Sequence, residues 1–140
     1  MLDPDYAKLI LDVIPPIMRY MKNEMRKTAR PELTVPQFRI LARLSLSIAT
    51  NRELAEWMGV SPPTMTRMVD SLLKKKLLKK LVNSSDRRQI KLSLSDKGLQ
   101  VFNQIFSELH LKITKHVALL DSVKKIKLAN GLTILREMFL

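Results

Sequence analysis

The chain has 140 residues, of which 46% are hydrophobic and only 3 are Gly, a composition typical of one packed, mainly helical domain. Its 25 Lys and Arg outnumber 13 Asp and Glu, and the net charge of +12 indicates a polyanionic partner, either nucleic acid or an anionic membrane. The absence of cysteine excludes disulfides and thiolate metal sites, and no run approaches the ~18 consecutive apolar residues of a membrane span.

Two amphipathic helices are predicted at the amino-terminal end of the chain. The first covers residues 6–29, and Pro15–Pro16 within it predict a kink or a fresh helix start, because proline lacks a backbone donor. Thr34 and Gln37 have the spacing of a capping box, in which each side chain bonds the other residue's backbone N–H. We therefore expect a second helix that begins after Thr34 and runs to about Leu46.

A helix, a turn and a second helix are predicted between residues 50 and 76. Thr50 begins another capping-box pattern, and Gly59 ends the first helix because glycine readily adopts a positive φ. Ser61 is the N-cap of the second helix, and the small side chain of Ala55 allows the two helices to cross closely. Apolar residues stand where the helices face each other, at Leu54, Met58, Val60, Met65 and Met68.

The other face of this second helix suits a DNA major groove. The helical period turns Pro63, Thr64, Arg67 and Ser71 outward, with Thr66 near the boundary. Arginine can donate two bonds to guanine, and threonine can contact thymine, so the segment resembles a recognition helix. The alternative is that these residues are helix caps and solvated charges. The candidate DNA-binding residues of this helix are Ser61, Pro63, Thr64, Thr66, Arg67, Ser71, Lys74 and Lys75.

A β-hairpin is predicted directly after the recognition helix, from two extended runs at Leu77–Val82 and Gln89–Leu94. In the second run Ile90, Leu92 and Leu94 alternate with polar residues, so we expect one buried face and one face toward solvent or phosphate. Lys91 lies on that polar face. Residues 61–97 hold ten Lys or Arg against three Asp, which concentrates the positive charge here. Lys74, Lys75, Lys79 and Lys80 are each either a phosphate contact or a solvated charge.

Helices are predicted again from Ser95 to the end of the chain. Ser95 is the N-cap of a long helix, and Asp121–Ser122 separate it from a last one. Both helices carry apolar stripes, at Phe102, Ile105, Leu109, Ile113, Val117 and Leu120, and at Leu128, Leu132, Leu135 and Phe139. This apolar surface is more than a small domain needs, and it favours a partner chain.

The stretch DRRQIKLSLSDKG at residues 86–98 is the most specific of four that resemble the MarR family of bacterial transcriptional regulators. LTVPQFRIL at 33–41 looks like the second helix of the family, RELAEWMGVS at 52–61 like the first part of its helix-turn-helix, and TMTRMVDSLLKKKLL at 64–78 like its recognition helix. The resemblance covers nearly the whole chain.

The resemblance assigns roles to the tip of the hairpin, which in a winged helix is the wing. It implies that Asp86 orients Arg88, which enters an adjacent minor groove, and that Arg87 contacts phosphate. Two positions depart from the family. Lys76 stands where Gly is usual, so it either adopts a positive φ at a cost of ~1 kcal/mol or stays helical and shifts the wing. Lys80 replaces a common Arg.

The resemblance also implies a mainly α fold with a small β-hairpin, forming one domain over residues 1–140. In it, residues 34–95 form the winged helix-turn-helix, and helices in 4–33 and 96–140 form a homodimer. We therefore expect a transcriptional regulator, a repressor, whose dimer binds a pseudo-palindromic site in double-stranded DNA. The family further implies a small-molecule effector pocket, and the alternative role of the same residues is core packing. Its candidate lining is Met18, Met21, Met25, Phe38 and Leu41.

Several other classes of function lack support in the sequence. No phosphate-binding glycine loop or catalytic constellation is found, so we expect no enzyme and no cofactor. His110 and His116 are six residues apart, which is not an i, i+4 metal pair, and we expect no metal. Asp3 and Asp5 stand where a signal peptide would be basic, which favours a cytoplasmic protein. The open alternatives are a winged helix that binds protein or RNA and, less supported, a peripheral membrane binder.

Overall fold

The computed structural model describes residues 1–28, 33–81 and 90–140. Within them the helices are α1 Asp3–Thr28, α2 Val35–Leu46, α3 Asn51–Met58, α4 Pro62–Lys74, α5 Asp96–Ala118 and α6 Ser122–Phe139. The strands are β1 Ala49–Thr50, β2 Leu78–Leu81 and β3 Lys91–Leu94. The prediction of a mainly helical protein with a small β-hairpin is therefore confirmed.

The strands form one antiparallel sheet in the order β1-β3-β2. In the hairpin Leu78 lies opposite Leu94, and Leu81 lies opposite Lys91. The sequence did not predict β1, since two residues are too short for an alternating pattern; it pairs Ala49 with Leu92. Of the three strand residues expected to face inward, Leu92 is buried, Leu94 is half-buried, and Ile90 is exposed and lies just before β3, so the prediction for Ile90 is wrong.

The chain divides into two compact units, residues 1–106 and 107–140. The first unit holds a core between the helix-turn-helix and the sheet, in which Ile40, Leu54, Met65 and Leu72 are fully buried. Burying a side chain of this size contributes ~1.5–3 kcal/mol to the free energy of folding, so this cluster is the main interaction that packs α2, α3 and α4 together. The prediction of a single domain over residues 1–140 stays a prediction.

A second, smaller cluster in the same unit joins α1 and α5. Met25 and Ile105 are buried in it, and Phe38 lies at its edge. The ring of Phe38 stacks on that of Phe102 at 5.5 Å between centroids, a separation at which aromatic pairs attract. The winged-helix core and the long helices are thus connected through α2.

Helix α1 corrects one prediction. It runs without interruption through Pro15–Pro16, so the alternative of a fresh helix start is wrong. Proline removes a backbone donor, but its fixed φ fits the helix, so the helix can continue past it. Among the described residues, no helix has the length and apolar content needed to cross a membrane.

The second unit contains the end of α5 and all of α6. Asp121 is the N-cap of α6 and accepts a hydrogen bond from the backbone N–H of Lys124 at 2.8 Å, which confirms the predicted break. None of the 18 residues of α6 is buried. Its exposed apolar side chains are Val123, Ile126, Leu128, Leu132, Ile134, Met138 and Phe139.

Candidate nucleic-acid interface

The turn between α3 and α4 has the geometry that the sequence predicts. Gly59 ends α3 with a φ of 73°, and the N–H groups of Gly59 and Val60 both donate to the carbonyl of Ala55, at 2.9 and 3.1 Å. Ser61 caps α4, since its hydroxyl accepts from the backbone N–H of Thr64 at 3.3 Å. Both helix ends are satisfied, and the turn is a helix-turn-helix.

The burial of α4 confirms which of its faces packs inward. Met65, Val69 and Leu72 are buried, and Ala55 of α3 is 1% exposed, as the close crossing requires. In the first two turns of α4 five of the predicted DNA-binding residues are exposed: Ser61, Pro63, Thr64, Thr66 and Arg67. The helix therefore presents small polar side chains and one guanidinium away from the core.

Asn51 is a residue of this surface that sequence reasoning missed. Its side-chain amide donates to the hydroxyl of Thr66 at 3.2 Å and to the carbonyl of Pro62 at 3.3 Å. The Thr66 hydroxyl in turn donates to the Pro62 carbonyl at 2.9 Å. Asn51 thus ties the first turn of α4 to the start of α3. Its only sequence signal is a polar residue next to the N-cap Thr50, which by itself does not indicate this contact.

Gln37 links the middle of α4 to α2. It is 7% exposed and completes the predicted capping box, because its Oε1 accepts from the Thr34 N–H at 3.0 Å. Its Nε2 also donates to the hydroxyl of Ser71 at 3.1 Å, and its Oε1 lies 3.5 Å from the Nζ of Lys75. The outward orientation predicted for Ser71 is therefore wrong, since this half-buried residue bonds α2. Lys74, by contrast, is exposed.

Lys76 adopts the left-handed conformation, with a φ of 60°, which decides between the two alternatives for this position. The N–H of Leu77 donates to the carbonyl of Leu72 and that of Lys76 to the carbonyl of Leu73, both at 3.0 Å. These two bonds form a Schellman motif, a common end for a helix, in which Gly usually holds the left-handed position. Lys76 thus ends the helix with the backbone conformation that glycine usually supplies, and the wing begins at the same position as it would after a glycine.

The first turn of α5 lies against this end of α4. The hydroxyl of Ser95 donates to the Lys76 carbonyl at 2.6 Å, and the Nζ of Lys97 to the Lys75 carbonyl at 3.2 Å. The Ser95 hydroxyl also accepts from the N–H of Gly98 at 3.0 Å, which confirms Ser95 as the N-cap of α5. The contacts with α4 were not predicted, since they join residues about 20 positions apart.

The wing is described only at its base. Lys79 and Lys80 are exposed on β2, and Lys91 on β3 is half-buried. Val82–Gln89 lie outside the described residues, and with them the predicted wing residues Asp86, Arg87 and Arg88. Their roles stay predictions, as does DNA contact by each candidate residue of α4.

The five residues predicted to line an effector pocket differ in burial and in the cluster to which they belong. Leu41 is fully buried in the winged-helix core, and Met25 lies in the smaller cluster with Phe38 beside it. Met21 is half-buried and Met18 is 59% exposed. Met25, Phe38 and Leu41 therefore pack in the core, the alternative that the sequence left open, and the effector stays a prediction.

A helix-turn-helix followed by an antiparallel hairpin defines the winged-helix class, whose DNA-binding members read the major groove with the second helix. The model of the MarR family matches residues 33–90, which span α2 to the base of the wing. A MarR-family domain therefore lies within residues 33–90 of the chain. Regulators of this family are transcription factors rather than enzymes.

Curated relatives agree with this assignment. The chain is 28% identical over 108 residues to YfiV, an uncharacterized HTH-type transcriptional regulator of Bacillus subtilis, and 31% identical over 102 residues to MdtR, an HTH-type transcriptional repressor of the same organism. The matches cover 74% and 70% of this chain, but 66% and 64% of the relatives. The chain thus spans less than two thirds of the length of these relatives.

Solved structures show the same fold. RV1404 from Mycobacterium tuberculosis is 24% identical with a TM-score of 0.85, and the match covers 99% of this chain and 95% of that one. A mutant of S. aureus MepR bound to an oligodeoxyribonucleotide is 17% identical with a TM-score of 0.65, and the match covers 96% and 98% of the two chains. At these identities the likeness concerns the fold alone.

Proposed function

We propose that this protein is a repressor that binds a pseudo-palindromic operator as a homodimer, with α4 in the major groove and the wing in the adjacent minor groove. The observation that carries the proposal is the exposed face of α4, where Thr64 and Arg67 point away from a buried apolar face. An outward arginine can donate two bonds to a guanine, and a threonine methyl can contact thymine. The repressor role is supported by MdtR, a relative that is named as one.

Positive charge near α4 supports binding to a polyanion. Arg67, Lys74, Lys76, Lys79 and Lys80 are exposed on α4 and at the base of the wing, where Asp70 is an exposed acid. Such a surface neutralises phosphates and releases their counterions, so affinity falls steeply with salt. If six to ten phosphates are neutralised, affinity should fall by ~10³ to 10⁵ between 50 and 200 mM salt.

The first experiment is selection of duplexes from a random-sequence library by the wild-type protein, followed by titration of the recovered duplex at several salt concentrations. We expect an inverted repeat with half-site centres about one helical turn, ~34 Å, apart. A salt-insensitive interaction, or recovery of no common sequence, would overturn the proposal. Competition with RNA of the same sequence tests the alternative of an RNA-binding module.

The second experiment concerns Arg67. We expect Arg67→Ala to relax base preference at one position per half-site, at a cost of ~1–3 kcal/mol if it reads guanine. Arg52→Ala is the matched control, because Arg52 is exposed on α3 and forms a salt bridge with Glu56. Both variants lose one positive charge, so a change confined to Arg67→Ala reports base reading and not net charge. Equal preference in both variants would contradict the assignment of α4.

The homodimer is supported by the exposed apolar side chains of α6. A helix with many exposed large apolar side chains is typical of a protein interface. We expect Leu132→Glu, which places a charge in this surface, to shift the protein toward monomer in sedimentation velocity. Lys127→Glu on the same helix is the control and should leave the dimer intact. A dimer that survives Leu132→Glu at all concentrations would place the interface elsewhere.

A further inference from the structure

We propose that the first turn of α5 positions the recognition helix for operator discrimination, and that Ser95 is the principal positioning residue. This inference rests on the proposed function, because it concerns how α4 is held when it reads DNA. Ser95, Lys97 and Gly98, which supply the contact from the side of α5, do not belong to the predicted DNA-binding set. The argument starts from the carbonyl groups at the end of α4.

Three consecutive carbonyls after α4 are bound by the start of α5. The Lys75 carbonyl accepts from the Lys97 Nζ at 3.2 Å, the Lys76 carbonyl from the Ser95 hydroxyl at 2.6 Å, and the Leu77 carbonyl from the Ser95 N–H at 3.0 Å. Carbonyls at the cap of a helix and just beyond it lack intrahelical partners, so such groups normally bond to water or to another segment of the chain. Here they are bound by one segment of the chain.

The hydroxyl of Ser95 joins two helix ends at once. It donates to the Lys76 carbonyl and accepts from the Gly98 N–H at 3.0 Å, so both capacities of the hydroxyl are used. The same side chain is therefore the N-cap of α5 and a partner for the residue that ends α4. Losing it removes a bond from each element.

Gly98 makes this contact close. A β-carbon at this position would stand 2.0 Å from the Leu77 carbonyl oxygen and 2.9 Å from its carbonyl carbon. Only a glycine allows the backbone of α5 to approach the chain at this distance. The two segments are therefore fixed to each other by backbone contact as well as by hydrogen bonds.

The contact affects DNA reading because α4 is held at both ends. Asn51 binds its first turn, and Ser95 binds the residue that follows its last turn. Arg67 lies nine residues before Lys76, or about 13 Å along a helix, so a tilt of about 10° at the Ser95 end moves Arg67 by about 2 Å. Recognition geometry tolerates about 0.5 Å.

The experiment compares full-length variants on two probes: the duplex selected by the wild-type protein and a scrambled duplex of equal length and composition. The measured quantity is the ratio of the two affinities. We expect Ser95→Ala to lower this ratio about five- to tenfold, which corresponds to loss of about one hydrogen bond. Ser95→Thr keeps the hydroxyl and should restore the ratio.

Asp121→Ala is the matched control for loss of a helix cap, since Asp121 caps α6 as Ser95 caps α5. We expect it to lose a comparable amount of stability, measured by urea unfolding, and to keep the wild-type ratio. Lys97→Met separates positioning from phosphate contact. If Lys97 only positions α4, Lys97→Met leaves the slope of log affinity against log salt concentration unchanged. If Lys97 contacts a phosphate, the substitution lowers this slope by about one.

The outcomes separate the two proposals. If the wild-type protein itself does not discriminate between the probes, the proposed function fails and this inference with it. If the wild-type protein discriminates and a folded, dimeric Ser95→Ala variant discriminates equally well, only the positioning role is overturned. Equal losses in Ser95→Ala and Asp121→Ala would also overturn it, because lower stability alone would then explain the effect.

Discussion

The carbonyl oxygen of Leu77 lies against Gly98 so closely that an added β-carbon would be 2.0 Å away from it. We therefore expect Gly98→Ala to lower the free energy of unfolding by about 1–3 kcal/mol, the usual cost of overpacking a filled position. The backbone of either α5 or the segment after α4 must shift to admit the methyl group. Urea unfolding followed by circular dichroism measures the difference.

Gly131→Ala is the control for this substitution. Gly131 also lies within a helix, but no atom stands within 4 Å of an added β-carbon. Alanine favours the helix over glycine by up to ~1 kcal/mol, so stability should rise or stay constant. A Gly98→Ala variant as stable as Gly131→Ala would mean that the close approach to Leu77 is absent in solution.

Lys76 is the position where a change toward glycine should stabilise the protein. Its φ of 60° costs a non-glycine residue ~1–2 kcal/mol, which glycine avoids, while the greater entropy of glycine in the unfolded chain offsets part of the gain. We expect Lys76→Gly to raise the free energy of unfolding by about 0.5–1 kcal/mol. Lys74→Gly, at the last residue of α4, should instead lower it by up to about 1 kcal/mol, because glycine is a poor helix former. A loss of stability in both variants would contradict the left-handed conformation of Lys76.

Local signals in the sequence were sufficient for most of the fold. Thr34, Ser61 and Gly59 form their capping hydrogen bonds with residues at most four positions away. The structure has each cap where the sequence pattern predicts it. The strand β1 was missed because two residues carry no periodicity, and its pairing with β3 depends on residues about 40 positions away. A fresh helix start at Pro15–Pro16 was wrong because proline removes a backbone donor without preventing the helical φ, and the helix continues through both residues.

The orientation of a candidate site residue could be predicted where it depends only on the periodicity of its own helix. The period of α4 separates buried Met65 from exposed Arg67, and both predictions are confirmed. The helical period was not sufficient for Ser71, because its orientation is decided by Gln37 of α2, 34 residues earlier. The contacts of Asn51 and Ser95 were missed for the same reason. These contacts are hydrogen bonds between residues that are distant in the sequence, for which a single sequence has no local signal.

The wing assignment gives a separate prediction for Arg88, which stands on the sequence because this residue lies outside the described ranges. We expect Arg88→Ala to weaken operator binding and leave the dimer intact, because the loss of a minor-groove contact concerns DNA alone. Arg19→Ala, on the exposed face of α1, is a control of equal charge. Fluorescence anisotropy and sedimentation measure the two properties. Operator affinity that is the same in both variants would reject the wing role of Arg88.

The neighbouring lysines at the end of α4 should differ in their contribution to the salt dependence of binding. Lys74 is exposed, whereas Lys75 is half-buried with its Nζ 3.5 Å from the Oε1 of Gln37. A lysine that neutralises one phosphate contributes about 0.9 to the slope of log affinity against log salt. We therefore expect Lys74→Met to lower this slope by about one and Lys75→Met to leave it near the wild-type value. Because the two variants lose the same charge one residue apart, equal slopes would show that net charge, and not the position of each ammonium group, determines how this helix meets the phosphate backbone.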